Sequence, residues 1–385
     1  MESRRALIVG GGFAGLAAAA ALARAGLSVC VFERGPAPRE VNAGVSLWGN
    51  AIRALAKLGL ARRAIDAGDI ITTATLMNAR GRVISRCDIA DADRALGYPS
   101  IVIHRQALLD LLLSALEPGT VRYGEPCETL HHGKDRVTLH TTRGHEVGDI
   151  LIGADGSRSR VRSVLFGERP LRYSGYTCWR GVLDFPVEEW PSGHAAEVWG
   201  RGQRFGITRL DKRRVYWWAT RNAAPGGRDG DAHAELVHRY KGWADPIPEL
   251  LQRTAAGSIT RTDIVDLPPS RQWGVGRVTL IGDAAHAPTP NMGQGACMVI
   301  EDAVVLAKHL TEFARGRLAP DAALRAYERD RFARTAMVTN VSWRLGRVGQ
   351  WTNPVMCALR NLATGLVPRF MFMQNHRSVV GFEAG

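Results

Sequence analysis

The stretch RALIVGGGFAGLAAAAALARAGLSVCVFE, residues 5–33, decides how the chain begins to fold. Arg5 to Val9 reads as a short apolar strand that runs directly into Gly10-Gly11-Gly12-Phe13-Ala14-Gly15, a GxGxxG pattern at Gly10, Gly12 and Gly15. An alanine-rich helix over Leu16–Ala25 stops at Gly26, and a second strand, Ser28 to Phe32, ends at Glu33. Strand, glycine turn, helix and strand make a βαβ unit. The first glycine permits the tight turn, the second lets backbone approach a pyrophosphate, and the third lets helix pack on strand. The helix N-terminus attracts the phosphates. Glu33, 18 residues past Gly15, is placed to accept hydrogen bonds from ribose hydroxyls. These residues predict a dinucleotide site without saying which dinucleotide.

Length and composition bound the rest. A chain of 385 residues has room for two domains or one large one. No apolar run approaches the roughly 18 residues that cross a bilayer. Glycines interrupt the apolar stretch after Met1-Glu2-Ser3-Arg4-Arg5, so no export signal is read there. The net charge is +13, and 45 of the 50 basic residues are arginine, dispersed rather than gathered in the stripe of a nucleic-acid binder. Such an excess favours anionic small molecules or acidic surfaces. Cys30, Cys87, Cys127, Cys178, Cys297 and Cys357 form no CxxC pair and no metal spacing, so a reduced cytoplasmic compartment and no metal are expected.

Two distant segments carry further signals. Residues 277–302, RVTLIGDAAHAPTPNMGQGACMVIED, form a strand (Val278–Ile281) ending in Gly282-Asp283, then a proline-containing loop, then Gly293-Gln294-Gly295 opening a helix to about Leu310. An acid at a strand end suits a polyol, and a glycine-opened helix aims free N–H groups and partial positive charge at what precedes it. Residues 153–162, GADGSRSRVR, follow an apolar run. Asp155-Gly156 is read as a strand end, Ser157 as a helix cap, and Arg158 and Arg162 as neighbours on one helical face.

These three motifs, at their separations, resemble the class A flavoprotein monooxygenases of the p-hydroxybenzoate hydroxylase fold, over nearly the whole chain. YTCWRGVLDFP (176–186) and PNMGQGACMVIEDA (290–303) look most like the hydroxylases of small aromatic or heteroaromatic rings and the carotenoid epoxidases. The resemblance implies an α/β fold: a Rossmann-like FAD-binding domain, an inserted, mostly antiparallel β-sheet substrate domain, and C-terminal helices. It implies FAD, with NAD(P)H as reductant. Glu33, with Gly10, Gly12, Phe13, Ala14, Gly15 and Arg34 around it, would hold the adenosine half. Arg105, before the apolar helix Ala107–Leu116, would contact the flavin's phosphate or ribityl region, and Asp283 the ribityl chain. Pro290 would lie beside the isoalloxazine, and amides near Gly293, Gly295 and Ala296 would face N1 and O2, where reduced flavin is anionic. Asp155 and Arg162 are expected beside both cofactors, with Arg162 preferred over Arg158 for the phosphates of NAD(P)H. His286 is weighed as a packing residue rather than a catalytic one.

Residues 171–220 alternate apolar and polar positions and read as an antiparallel sheet, and helices are expected at 232–242, 246–252 and 321–347. The expected division is 1–70, 100–170 and 271–320 for the FAD domain, 71–99 and 171–270 for the substrate sheet, and 321–385 for the C-terminal helices. If 204–208 and 216–220 pair, alternate side chains face the pocket, so Arg204 or Phe205 and Tyr216 or Trp218 become candidates. Arg204 would hold an acidic or phenolate substrate and Tyr216 would relay a proton. Asn291 stands where some related hydroxylases carry an acid. Val355–Met373, with Arg360 and Arg369, is read as a helix packed across both domains in preference to one touching a membrane. The resemblance implies that reduced flavin captures O2 as a C4a-hydroperoxide and passes one oxygen to a small aromatic substrate, in a monomer or homodimer. Epoxidation of an alkene, and a reductase that never activates oxygen, are the alternatives.

Overall fold

The computed structural model describes residues 3–37, 42–368, 374 and 377–384. Strand Arg5–Val9 lies between Ser28–Glu33 and Ile150–Gly153, parallel to both. Val278–Leu280 and Val121–Tyr123 extend the sheet outward in parallel, and Gly274–Val275 closes one edge antiparallel. Because both faces of these strands are covered, they are continuous apolar runs rather than alternating ones: Ala6, Leu7 and Ile8 are fully buried, as are Ile150, Leu151 and Ile152. Helix Phe13–Arg24 packs on this sheet and on the long helix Gly295–Ala314. Its run Ala17–Ala21 is buried, and small side chains let the two helices approach closely.

A seven-stranded sheet forms the second layer. Its order is Thr260–Asp266, Arg172–Asp184, Arg214–Asn222, Gln203–Arg209, His194–Trp199, Thr73–Asn78, Val83–Asp88. All pairs are antiparallel except His194–Trp199 with Thr73–Asn78. One face carries Trp179, Phe205, Ile207, Trp217 and Ala219 onto helices Ala232–Tyr240 and Ile247–Arg253. The opposite face looks toward the first sheet. Three-stranded sheets at 44–104 and 127–148, outside the motifs, brace the join and one flank.

Helix Pro320–Gly349 runs from the first sheet toward the second and ends near Gln350. The final helix, Pro354–Gly365, corrects one expectation. It does not bury an apolar face between domains: Val355, Leu359, Leu362 and Leu366 are 64%, 54%, 60% and 71% exposed. Arg369 and Met373 lie outside the described residues. Among the described residues, no helix is long and apolar enough to cross a membrane.

Candidate active site

The glycine loop sits at the C-terminal end of strand Arg5–Val9. Gly10 has φ +110, and a Cβ there would come within 2.4 Å of the Ala154 carbonyl oxygen. A Cβ on Gly15 would lie 1.7 Å from the Gly10 oxygen, so helix and loop touch backbone to backbone. At Gly12 a Cβ would meet nothing within 4 Å. Packing therefore demands the outer two glycines, while the middle one faces open space from which backbone can be approached. No side chain caps helix Phe13–Arg24 at Gly12. Glu33 ties the second strand to this loop, accepting from Gly11 N (2.6 Å) and Gly35 N (2.8 Å). Arg34 beside it is exposed.

Arg105 opens helix Arg105–Leu113 with its guanidinium 4.3 Å from the centroid of the Phe13 ring. Its charge also acts on Asp283 and Tyr216, so the structure brings residues from four distant segments close together. Asp283 is open to the cleft but otherwise hemmed in by protein. That desolvation raises its carboxyl above the usual range, with partial opposition from the charges of His286 and Arg105. His286 is buried and bonded through Nε2 to Asp302 (2.6 Å), which also accepts from Gly282 N (3.0 Å) and Arg331 Nε (2.6 Å). This makes His286 a brace for the Gly282–Asp283 turn.

The loop after it makes one 3-10 turn at Pro290–Met292, and Gly293 adopts a left-handed conformation with φ +62. A Cβ on Gly293 would press to 2.9 Å of Trp48 Nε1, which donates to the Gly293 carbonyl (3.1 Å). Helix Gly295–Ala314 then begins with neither a capping side chain nor an acid in its first turn. Its position is fixed from behind: Glu301 pairs with Arg334 (2.7 Å) and Arg331 (2.8 Å), all buried. An uncapped N-terminus of a 20-residue helix offers N–H groups and partial positive charge to an anion.

Across the cleft, Arg204 pairs with Thr220, Gly206 with Trp218 and Thr208 with Tyr216, so these share the inward face. Phe205 is on the other face, fully buried and stacked on Trp217. Arg204 is 6% exposed and donates to Glu197 Oε1 (3.0 Å) and Asn291 Oδ1 (2.7 Å). Tyr176 donates to the same Asn291 oxygen (3.0 Å). Asn291 in turn donates to Thr289 Oγ1 (2.8 Å) and the Ser342 carbonyl (3.0 Å). Burial pushes the Tyr216 hydroxyl up to about 12, against the opposing charge of Arg180. Helix Pro320–Gly349 makes room for this cluster with two glycines. A Cβ on Gly346 would sit 2.5 Å from Asn291 Nδ2, and one on Gly349 would sit 3.1 Å from Arg204 Cδ.

Known proteins share the fold that brings these residues together. A family model for an FAD binding domain matches residues 4–342. The chain belongs to the FAD-binding monooxygenase family. It is 43% identical to the aurachin C monooxygenase/isomerase of Stigmatella aurantiaca, covering 92% of each chain. It is 34% identical to the 2-heptyl-3-hydroxy-4(1H)-quinolone synthase of Pseudomonas aeruginosa, covering 94% of each. The crystal structure of Klebsiella pneumoniae HpxO with FAD and uric acid superposes with a TM-score of 0.91 at 26% identity, over 98% of this chain and 96% of that one.

As an FAD-dependent monooxygenase, the chain has residues that fit its cofactor: open space at Gly12, a desolvated Asp283 facing the cleft, and an uncapped helix at Gly295 and Ala296. The GADGSRSRVR segment of the monooxygenase departs from its sequence reading. Ser159, not Ser157, caps helix Arg160–Phe166, accepting from Arg162 N (2.9 Å). Asp155 is committed to the same helix end, accepting from Ser159 Oγ (2.5 Å), Arg160 N (2.7 Å) and Val161 N (3.1 Å). Arg162 is 3% exposed and donates inward to the carbonyls of Ala284 (2.8 Å) and Ser157 (2.6 Å). It therefore braces the Asp283 turn, while Arg158, ahead of the helix, is exposed, as is Arg160, whose Nε donates to the Glu128 carbonyl (2.8 Å). Sequence reasoning missed Tyr176, Glu197, Gly346 and Gly349. The pairing of Tyr176 with Asn291 spans 115 residues, and no local pattern carries it.

Proposed function

We propose that this monooxygenase hydroxylates a fused heteroaromatic ring of the quinolone type, with NAD(P)H as the reductant. The balance is one substrate C–H, O2, NAD(P)H and a proton giving C–OH, water and NAD(P)+. FAD supplies the electron transfer and the oxygen activation when bound. The chain's own residues position and polarise.

The observation that carries the reading is the shared floor of Arg204, Tyr176 and Asn291 beside the aromatic wall of Tyr216 and Trp218. A flat ring with one ionisable oxygen matches a guanidinium and hydroxyls at one end and aromatic faces along its length. The Tyr216 hydroxyl, held protonated, donates a hydrogen bond to the ring oxygen rather than acting as a base. Pro290 and the helix start at Gly295 and Ala296 line the flavin side. Glu33, Arg34 and the loop Gly10–Gly15 hold the adenosine half, and Arg105 and Asp283 the ribityl region. Exposed Arg158 meets the phosphates of the visiting reductant. Two relatives whose names specify quinolone or aurachin chemistry support this class.

The test is a panel of 4-quinolones, hydroxybenzoates, uric acid and polyenes, scored for stimulated NAD(P)H oxidation and for product mass. Gain of one oxygen on a quinolone ring supports the reading. Turnover of a polyene to an epoxide with no quinolone product overturns it.

A further inference from the structure

The last helix, Pro354–Gly365, has its faces reversed. Toward the protein it presents Cys357, Arg360 and Thr364, with Arg360 4% exposed and donating to the carbonyls of Gly349 (3.0 Å), Val348 (3.3 Å) and Gly200 (3.3 Å). Away from the protein it presents Val355, Leu359, Leu362 and Leu366, the i, i+4, i+7, i+11 stripe that a globular helix turns inward. Leu345, in the helix before it, adds to the exposed apolar surface at 45%. A contiguous aliphatic face of this kind marks an interaction surface.

Charge selects the partner. Between Asp330 and Glu383 the chain has no acidic residue and seven arginines, and among them Arg344 and Arg347 are exposed just before this helix. Arg331 and Arg334 are spent on buried Glu301 and Asp302 and Arg360 on carbonyls, so the outward charge rests on Arg344 and Arg347. An aliphatic stripe beside exposed arginines is the composition that seats at an anionic lipid interface. The helix is also wired to the pocket. The Gly349 carbonyl that Arg360 holds belongs to the residue packed against Arg204.

We propose that the outer face of helix Pro354–Gly365 docks this protein on the surface of an anionic bilayer, placing the back of the substrate pocket against the lipid. The proposal stands whether or not quinolones are the substrate.

The test is flotation of the FAD-loaded full chain with vesicles of phosphatidylcholine alone and of phosphatidylcholine mixed with phosphatidylglycerol. The protein is expected to float with the mixed vesicles and to be released by salt. L359S/L362S/L366S is expected to weaken binding by more than about tenfold, with FAD content and thermal midpoint retained. R344E/R347E is expected to lower affinity for the mixed vesicles by about fivefold per arginine. Wild-type protein that stays at the bottom of the gradient with mixed vesicles overturns the proposal. So does a dimer in light scattering that the triple serine variant converts to monomer, since the face then belongs to a second copy.

Discussion

Arg204 Nη2 donates to Asn291 Oδ1 at 2.7 Å, and this contact joins the seven-stranded sheet to the loop that opens helix Gly295–Ala314. The two residues are 87 apart in sequence. An amide suits position 291 because both of its N–H groups are used, on Thr289 and on the Ser342 carbonyl, while its oxygen receives Arg204 and Tyr176. A carboxylate offers no donors for those two acceptors.

N291D is therefore expected to lower stability by about 1–3 kcal/mol, the cost of an unsatisfied buried acceptor. Substrate KM should rise by about tenfold as Arg204 is drawn into an ion pair. Thermal melts and steady-state kinetics measure the two effects separately.

G346A places a methyl 2.5 Å from Asn291 Nδ2 and should cost about 1–3 kcal/mol by overpacking. Because the clash is on the substrate side, bound FAD should stay stoichiometric while substrate-stimulated NAD(P)H oxidation falls. Loss of flavin in this variant would contradict the placement.

G15A drives a Cβ to 1.7 Å of the Gly10 oxygen, a backbone atom that cannot yield without moving the loop. The expected cost exceeds about 3 kcal/mol. The purified protein should be colourless, a result read directly from its visible spectrum.

R162A removes donors from the buried Ala284 and Ser157 carbonyls and should destabilise by about 1–3 kcal/mol, with weaker FAD retention. R158A should leave stability unchanged and raise the KM for NAD(P)H by about tenfold, as expected for a lost charged phosphate contact. The reverse pattern would restore Arg162 as the reductant's partner.

Asp302 sets an acid limit. Burial alone would raise its pKa, but the charges and hydrogen bonds of His286 and Arg331 outweigh burial and hold it below the ordinary carboxylate value. A depressed pKa contributes stability that is complete above the unfolded value, about 3.9, and is lost as pH falls through the folded one. D302N should lower stability at neutral pH by about 3–5 kcal/mol and flatten the acid side of the stability profile. Denaturant melts between pH 3 and 7 resolve both.

Much of the first sheet and its turns was legible because their signals are local. A glycine turn, a strand-end acid and a glycine-opened helix each act within a few residues, so the turn at Gly10–Gly15, the strand end at Glu33 and the helix start at Gly295 lie where the sequence puts them. The GADGSRSRVR segment marks the limit. Its helix was legible, but which serine capped it and which arginine turned inward depended on the Ala284 carbonyl, 122 residues away. Strand alternation narrowed the pocket to Arg204 or Phe205 without choosing, since a period of two assigns residues to faces and not faces to pockets.

The sequence by itself determined the βαβ start and that a dinucleotide site begins the chain, because backbone propensity and glycine sterics operate locally, while the choice of FAD came from the resemblance of three motifs taken together. Only the tertiary structure decided that Arg204, Tyr176 and Asn291 share one hydrogen-bond floor, that Gly346 and Gly349 make room for it, and that the last helix turns its leucines outward. Each of these is set by long-range packing, where the identity of the neighbour and not the residue's own pattern fixes what a side chain does.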